Sequence, residues 1–384
     1  MRYFTETLNL FCKIYKIKIF LIILGMFMAS CGVIISKLIP FENLPTPTGP
    51  YAVGTRIYTW VDTSRTEWFT KISNDYRKIV VQVWYPAKSV SGVTVPYLDH
   101  WKRRIGPISE QIDMPKILIR SIKDVQTNSY LDAQLYNNDR VYPLIIFSHG
   151  LGGMRMQNTI QMEELASQGY IIIAIDHAYD ANITIFGDGS IADYRSNSNG
   201  ELTEKEFWDL RLPQINTRVA DVSFVLDNIE NLQESTDSFW HAINLDHIGI
   251  MGHSFGGTTS IVASIRDERL DACITLDCWL LPVESSIIQS GMGIPFLFMG
   301  RPKWNTELNY LKLDSLISAS DAPSEKLILP GTKHFDYSDT PQFTSLSGKV
   351  GVAGKMPAHT IRDTLNTRII NFFNKYLIKD QIKN

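Results

Sequence analysis

The feature that most narrows the fold of this chain is the run Gly252-His253-Ser254-Phe255-Gly256, set between a predicted strand, His247 to Met251, and a predicted helix, Phe255 to about Ile265. A strand that turns directly into a helix brings two backbones close together, so the positions two before and two after the serine call for glycine. The serine sits on a strained turn that pushes its hydroxyl past the strand's carboxyl end, with the helix N-terminus behind it to favour developing negative charge. Strand before and helix after distinguish this arrangement from a chance Gly-x-Ser-x-Gly in a loop, and Gly257 extends it. Ser254 is therefore the candidate nucleophile.

The surrounding chain supplies the sheet that such a turn requires. Continuous apolar runs at Tyr142 to Phe147 and Tyr170 to Ile175 read as strands covered on both faces. Further strands are expected at Ile79 to Tyr85, Leu270 to Leu276, Ile294 to Met299 and Lys326 to Leu329. Between them lie a helix through Gln161 to Ala166, stopped at Gly169, and a C-terminal helix from about Thr360 to Leu377. Thr203-x-x-Glu206 has the form of a capping box. Pro213 is expected to interrupt that helix, and a second apolar stripe follows through Ile215, Val219, Val222, Leu226 and Ile229. From about residue 54 onward strands alternate with helices, which indicates a mostly parallel sheet flanked by helices. The stretches Val90 to Arg140 and Asp176 to Thr203 read as loop-like insertions of the kind that shape a substrate mouth.

Composition excludes several function classes. The chain has 384 residues, 44% hydrophobic and 20% charged, enough for a sizeable core. The net charge of -3 is spread without blocks of one sign, which argues against a nucleic-acid surface. Four cysteines are too few for a disulfide scaffold. Cys273 and Cys278 would stand roughly 16 Å apart on an extended strand, too far for a bridge. No paired Cys-x-x-Cys pattern suggests zinc, and no metal or organic cofactor is implied.

The N-terminus reads as a membrane address. Residues 1–18 form a lysine-bearing n-region expected in the cytoplasm, and residues 19–36 an uncharged run. At that length the run lies between a signal-peptide core and a spanning helix. An uncleaved signal anchor fits the apolar Val33-Ile34-Ile35. Met28-Ala29-Ser30-Cys31 is similar to a bacterial lipobox, which would make Cys31 a lipidation site, and a cleaved, secreted form is the third reading. Residues 37–53, rich in proline, read as a linker or extended arm ahead of a catalytic domain over 54–384.

A nucleophilic serine needs an oxyanion hole, a base and an acid. Ser148-His149-Gly150-Leu151-Gly152-Gly153 follows an apolar strand, as the segment that supplies the second oxyanion donor does. The backbone N–H groups of Leu151 and Phe255 are the candidate donors. In this class the acid and then the base follow the serine. Only His334 and His359 lie beyond Ser254. His334 falls in a loop just past the last strand, whereas His359 begins the C-terminal helix. Asp277 ends the strand after the nucleophile's helix and is the candidate acid, with Glu307 near the end of the next strand and Asp271 at the wrong end of its own. Asp176 and His177 end an earlier strand at the same edge and can shape a pocket or serve the core. Phe255, Trp279 and Trp304 are large enough to line an acyl pocket, with core packing the plainer reading.

Together FSHGLGG, GHSFGG, LDCW-x-x-P from Leu276 to Pro282 and GTKHFDYSD resemble the platelet-activating-factor acetylhydrolases of the plasma and isoform II type, as do TGPYAVGT and VWYPA earlier in the chain. The likeness runs from about residue 48 to 345 and departs at Phe335-Asp336. It implies an α/β-hydrolase fold with Ser254, Asp277 and His334 as triad and Leu151 and Phe255 as oxyanion donors. It further implies calcium-independent hydrolysis of ester-linked, usually short, acyl groups at the sn-2 position of phospholipids. The alternatives are a broad carboxylesterase and a non-catalytic, membrane-tethered binding module. Oligomeric state is not legible.

Overall fold

The computed structural model describes residues 41–88, 92–136, 140–196, 201–349 and 351–378. The expected membrane run over 19–36, Cys31 and the n-region lie outside the described residues. Among the described residues no helix is long and apolar enough to cross a membrane.

Eleven strands are described: β1 Ala52–Thr66, β2 Tyr76–Ala87, β3 Ser129–Leu131, β4 Tyr142–Ser148, β5 Ile171–Asp176, β6 Ile183–Ile185, β7 Ile191–Asp193, β8 Ile243–His253, β9 Ala272–Leu276, β10 Phe296–Gly300 and β11 Ser324–Ile328. The helices are α1 Trp101–Gln111, α2 Lys116–Ile119, α3 Thr159–Ser167, α4 Glu204–Gln233, α5 Ser238–His241, α6 Phe255–Arg266, α7 Ser285–Ser290, α8 Leu308–Ala319 and α9 Ala358–Leu377. Nine strands form one sheet in the order β11-β10-β9-β8-β4-β5-β2-β1-β3. From β5 through β4, β8, β9 and β10 to β11 every pairing is parallel, while β2 pairs antiparallel with both β1 and β5.

Alternation along each strand divides the interior into two cores. On β4, Leu144 and Ile146 face one side, where they pack with Val222, Leu226 and Ile229 of α4 and Ile261 of α6. Their neighbours Ile145 and Phe147 face the other, against Met162 and Leu165 of α3 and Ile369 and Phe373 of α9. Both faces of the central strands are thus covered, which is why these segments read as unbroken apolar runs. The capping box at Thr203 and Glu206 is formed as expected.

Three expectations are corrected. Pro213 does not interrupt the helix: α4 runs unbroken from Glu204 to Gln233. Proline removes one backbone donor, but Arg211 is held to Ser196 O and Gln214, and Arg218 to Asp180, so buried side chains anchor the helix on both sides of the proline. The two expected loop-like insertions carry regular structure. The first holds α1, α2 and β3, and the second folds β6 and β7 into a hairpin. α1 forms despite containing Gly106 and Pro107 because Arg104, Ile105 and Ile108 are buried beneath it. Its guanidinium at Arg104 donates to Asp99 at 2.6 Å and to Ile183 O at 2.8 Å. Finally, the alternation of strands and helices does not begin at once, because β1 and β2 form an antiparallel pair before any helix.

The residues after Pro40 lie along the catalytic body as an extended arm. Glu42 N–H donates to Phe343 O, Leu44 N–H to Gln126 O and Thr48 N–H to Glu164. A third, smaller core joins Leu44 of the arm, Ile105 and Ile108 of α1, Ile160 of α3 and Phe343.

Candidate active site

The carboxyl ends of β4, β8 and β9 coincide. Ser148 pairs with Gly252, and His253 with Leu276, so the three strands stop at one edge, where open parallel sheets place their ligands. Ser254 follows β8 directly with φ 56° and ψ −117°, a conformation costing about 1–3 kcal/mol that persists only where its surroundings over-determine it. They do so here. Ser254 N–H donates to Leu276 O at 2.9 Å, and Ser254 O accepts from Gly257 and Trp279 N–H at 3.0 and 3.1 Å. A Cβ at Gly252 would lie 2.1 Å from Gly256 O, and one at Gly256 would lie 1.9 Å from Ser148 O. The flanking glycines are therefore required by backbone contact, as the sequence pattern implies.

Asp277 and His334, 57 residues apart in the chain, meet beside this turn. Asp277 Oδ2 lies 2.6 Å from His334 Nδ1. The carboxylate is fully buried at the end of β9, also at positive φ (42°), and Asp277 N–H donates to Met299 O. Its Oδ1 accepts from Arg301 N–H at 3.1 Å. Arg301 Nε also lies 3.1 Å from Oδ2 but outside hydrogen-bonding geometry, so it acts there as a charge and not as a donor. His334 opens a 3-10 turn, His334–Tyr337, and its ring is bordered by Trp304 at 5.4 Å. Ser254 and His334 line the same cleft, yet no hydrogen bond joins them among the described residues. Such bonds are often long without substrate and tighten in the reacting complex.

Leu151 sits in the turn after β4 and lines the same cleft as Ser254, and Phe255 is the first residue of α6. The Leu151 turn is fastened by Gly152 N–H to Asp180 O at 3.0 Å and Gly153 N–H to Gly150 O at 3.0 Å. Arg218 reaches under it, donating to His149 O at 2.7 Å and to Asp180 Oδ2 at 2.7 Å. The Phe255 ring is buried between Trp279 and Arg218 and, like Trp279 and Trp304, does not line the cleft.

The other carboxylates and histidines fall elsewhere. Asp271 accepts from Ile248 N–H at the far end of its strand, Glu307 precedes α8 on the surface, and His359 is exposed on α9. Asp176 is buried against Arg155. His177 belongs to a second Ser–His–Asp arrangement, entirely buried behind the oxyanion loop. Ser148 Oγ lies 2.9 Å from His177 Nε2, and His177 Nδ1 lies 2.9 Å from Asp221 Oδ2. Burial, with Arg218 nearby, pulls His177 down to about 4, so it stays neutral, donating to Asp221 and accepting from Ser148. Burial alone would raise the Asp221 carboxyl, but Arg77 and His177 hold it well below the usual carboxylate range. Its serine is fully buried, so this group supports the loop and is not a nucleophile.

The cleft has a volume of about 360 Å³ and runs from Ser254 toward Phe41 of the arm. Ile108, Ile112, Leu118, Ile119 and Ile122 of the first insertion form much of its wall, together with Phe343 and Leu346. Among the described residues no Asp, Glu, Lys or Arg lines it. Cys273 and Cys278 are both buried free thiols, and among the described residues no cluster of His, Cys, Asp and Glu is placed to hold a metal ion.

A sequence model of the family described as platelet-activating factor acetylhydrolase, isoform II, matches residues 38–383. The chain belongs to that family. A platelet-activating factor acetylhydrolase from Canis lupus familiaris is 29% identical over 365 residues, covering 88% of this chain and 78% of that protein. One from Gallus gallus is 28% identical, and the chain spans only 62% of its length. A probable 1-alkyl-2-acetylglycerophosphocholine esterase from Arthroderma benhamiae is 27% identical over 67% of this chain and 64% of that protein. Among solved structures, a ferulic acid esterase from Streptomyces cinnamoneus superimposes with a TM-score of 0.71 at 22% identity, over 88% of this chain and 94% of that one. That likeness carries the fold, a mostly parallel sheet flanked by helices, as in α/β-hydrolases.

The sequence motifs point to Ser254, Asp277 and His334, and the structure brings the three to one sheet edge. What they do not reveal is Arg301 beside the acid, the Arg218–Asp180 pair under the oxyanion loop, or Gln157 and His253 between the loops. His253 lies inside the sharpest motif, but nothing in that motif says what its ring touches.

Proposed function

We propose that this chain is a serine esterase that hydrolyses short acyl esters, with sn-2 acetyl or short-chain phospholipids of the 1-alkyl-2-acetylglycerophosphocholine type as its substrates. The observation that carries the reading is the buried Asp277 carboxylate on His334, beside a serine held at the strand-to-helix turn. Family membership and the names of the relatives favour the substrate class. The apolar cleft suits an alkyl or acyl chain better than a charged group.

In the proposed reaction Ser254 Oγ attacks the ester carbonyl while His334 Nε2 takes its proton. Asp277 holds the ring in the tautomer with Nδ1–H and stabilises the imidazolium. The N–H groups of Leu151 and Phe255 receive the negative oxygen, an interaction worth about 100–1000-fold per donor. His334 then returns the proton to the departing alcohol oxygen. Water attacks the acyl-enzyme with His334 as base, and the acid and free enzyme are released.

The test is hydrolysis of an acetyl ester and an sn-2 acetyl phospholipid by wild type and Ser254→Ala. Turnover of both by wild type, with a loss on the order of 10⁶ in kcat for the variant, is expected. Cleavage of the simple ester alone would favour the broad carboxylesterase. A folded wild type that is inert and unlabelled by a fluorophosphonate would leave the non-catalytic module. We further propose that the uncharged run over 19–36 tethers the catalytic domain outside the cytoplasm. Membrane partition of wild type against Cys31→Ala separates a lipoprotein from an uncleaved anchor, and a soluble, shortened chain would indicate secretion.

A further inference from the structure

We propose that His253 and Gln157 form a positioning bridge that holds the base loop in register with the oxyanion loop, an inference that rests on the triad proposed above. His253 precedes the nucleophile, and its ring lies between the two loops with 4% of its surface exposed. On one side, His253 Nε2 lies 3.1 Å from the backbone carbonyl of His334. On the other, its Nδ1 lies 3.0 Å from Gln157 Nε2, and Gln157 Oε1 accepts from Gly150 N–H at 3.3 Å. One chain of hydrogen bonds therefore runs from Gly150, next to the candidate donor Leu151, through Gln157 and His253 to His334.

The direction of each bond is determined. Gly150 N–H can only donate, so the Gln157 oxygen must face it and the amide NH₂ must face His253. His253 Nδ1 then accepts, which leaves Nε2–H to donate to His334 O. Protonation would break this order, and the site opposes it: burial and the neighbouring His334 hold His253 well below the ordinary histidine value. The backbone makes room for the bridge and anchors it. A Cβ at Gly153 would lie 2.0 Å from Gln157 Oε1. Gln157 O accepts from Asp339 N–H at 2.9 Å, and Asn158 Nδ2 donates to Tyr337 O at 2.9 Å.

The mechanical consequence concerns His334. Among the described residues its imidazole makes one hydrogen bond, at Nδ1 to Asp277, a single point about which the ring can turn, while its 3-10 turn is tied to Asn158 through Tyr337 O. The His253 bond to the His334 carbonyl supplies a second point on the same residue. Two points define where Nε2 meets Ser254, and a displacement of about 1 Å there costs on the order of 100-fold in rate. His253 and Gln157 touch no reacting atom in this scheme and are positioning residues.

The test uses the full chain and an acetyl ester. His253→Phe keeps a planar ring 4.6 Å from His334 but removes both hydrogen bonds, and is expected to lower kcat about 100-fold with KM within roughly threefold. Fluorophosphonate labelling of Ser254 should slow in parallel. His253→Gln, which carries an N–H at the reach of Nε2, should recover most of the loss. Gln157→Met should lower kcat, and combining it with His253→Phe should cost no more than His253→Phe alone, because the two act as one chain. A kcat for His253→Phe within threefold of wild type, or losses that multiply in the double variant, would overturn the bridge. If His253→Phe does not fold, an unchanged kcat in Gln157→Met overturns it. A wild type that neither turns over ester nor reacts with the probe would sink the triad, and this bridge with it.

Discussion

Replacing Asp277 by Asn tests the acid through one atom. The substitution preserves shape in a fully buried site, but the amide must choose an orientation. Oδ1 of Asp277 accepts from Arg301 N–H at 3.1 Å and Oδ2 lies 2.6 Å from His334 Nδ1. Turning the NH₂ toward Arg301 would oppose two donors in a buried site, costing about 1–3 kcal/mol for the unsatisfied group. The NH₂ therefore faces His334, where it can only donate. The imidazole answers by presenting a bare Nδ1 and carrying its proton on Nε2, the nitrogen that must be free to accept from Ser254. A loss of about 10⁴ in kcat follows by the same tautomer logic as in other Ser–His–Asp enzymes, equivalent to about 5 kcal/mol of barrier. The assay is steady-state hydrolysis of an acetyl ester, with circular dichroism to show that the variant is folded. A folded Asp277→Asn enzyme within tenfold of wild type would refute the assignment of the acid, and with it the argument from Arg301.

Other expectations follow from buried charge and from the cleft. Burial pushes the Glu163 carboxyl up to about 7, against hydrogen bonds from Ser129 and Asn128 that favour its ionised form. The folded chain thus keeps a proton that the unfolded chain releases near its ordinary value of 4.5, so the stabilisation is complete below that pH and is lost as pH rises through about 7, amounting to roughly 3 kcal/mol. Urea midpoints from pH 4 to 8 should fall less in Glu163→Gln than in wild type, and equal slopes would count against it. Arg218→Met strands the buried Asp180 carboxylate and frees His149 O, so a loss of about 3–5 kcal/mol is expected in urea unfolding. Leu118→Trp narrows the apolar cleft and should raise KM for octanoyl esters at least tenfold more than for acetyl esters; equal effects on both would show that acyl chains do not use this wall.

Local sequence determined those features whose causes are local. The elbow is legible because glycine at 252 and 256 answers to backbone contacts of 2.1 and 1.9 Å that no other residue accommodates. The central strands are legible because a strand buried on both faces has no exposed position and so reads as an apolar run, as β4 shows from Tyr142 to Phe147. The start of α4 is legible because Thr203 and Glu206 satisfy backbone donors three residues apart. Features whose causes lie far along the chain were decided only by tertiary structure. α4 continues through Pro213 because Asp180 and Ser196 hold its flanking side chains. α1 forms across Gly106 and Pro107 because Asp99 and the carbonyl of Ile183 receive Arg104. The insertions read as loops because helix propensity is a weak term beside the burial that folds them. The same holds for the site: spacing and order in the chain point to Asp277 and His334, but the cleft wall from α1 and α2, Arg301 on the acid and the Gln157–His253 chain depend on contacts between segments distant in sequence. A side chain's identity is written in the sequence, while its partner is chosen by the packing that brings another segment within hydrogen-bonding reach.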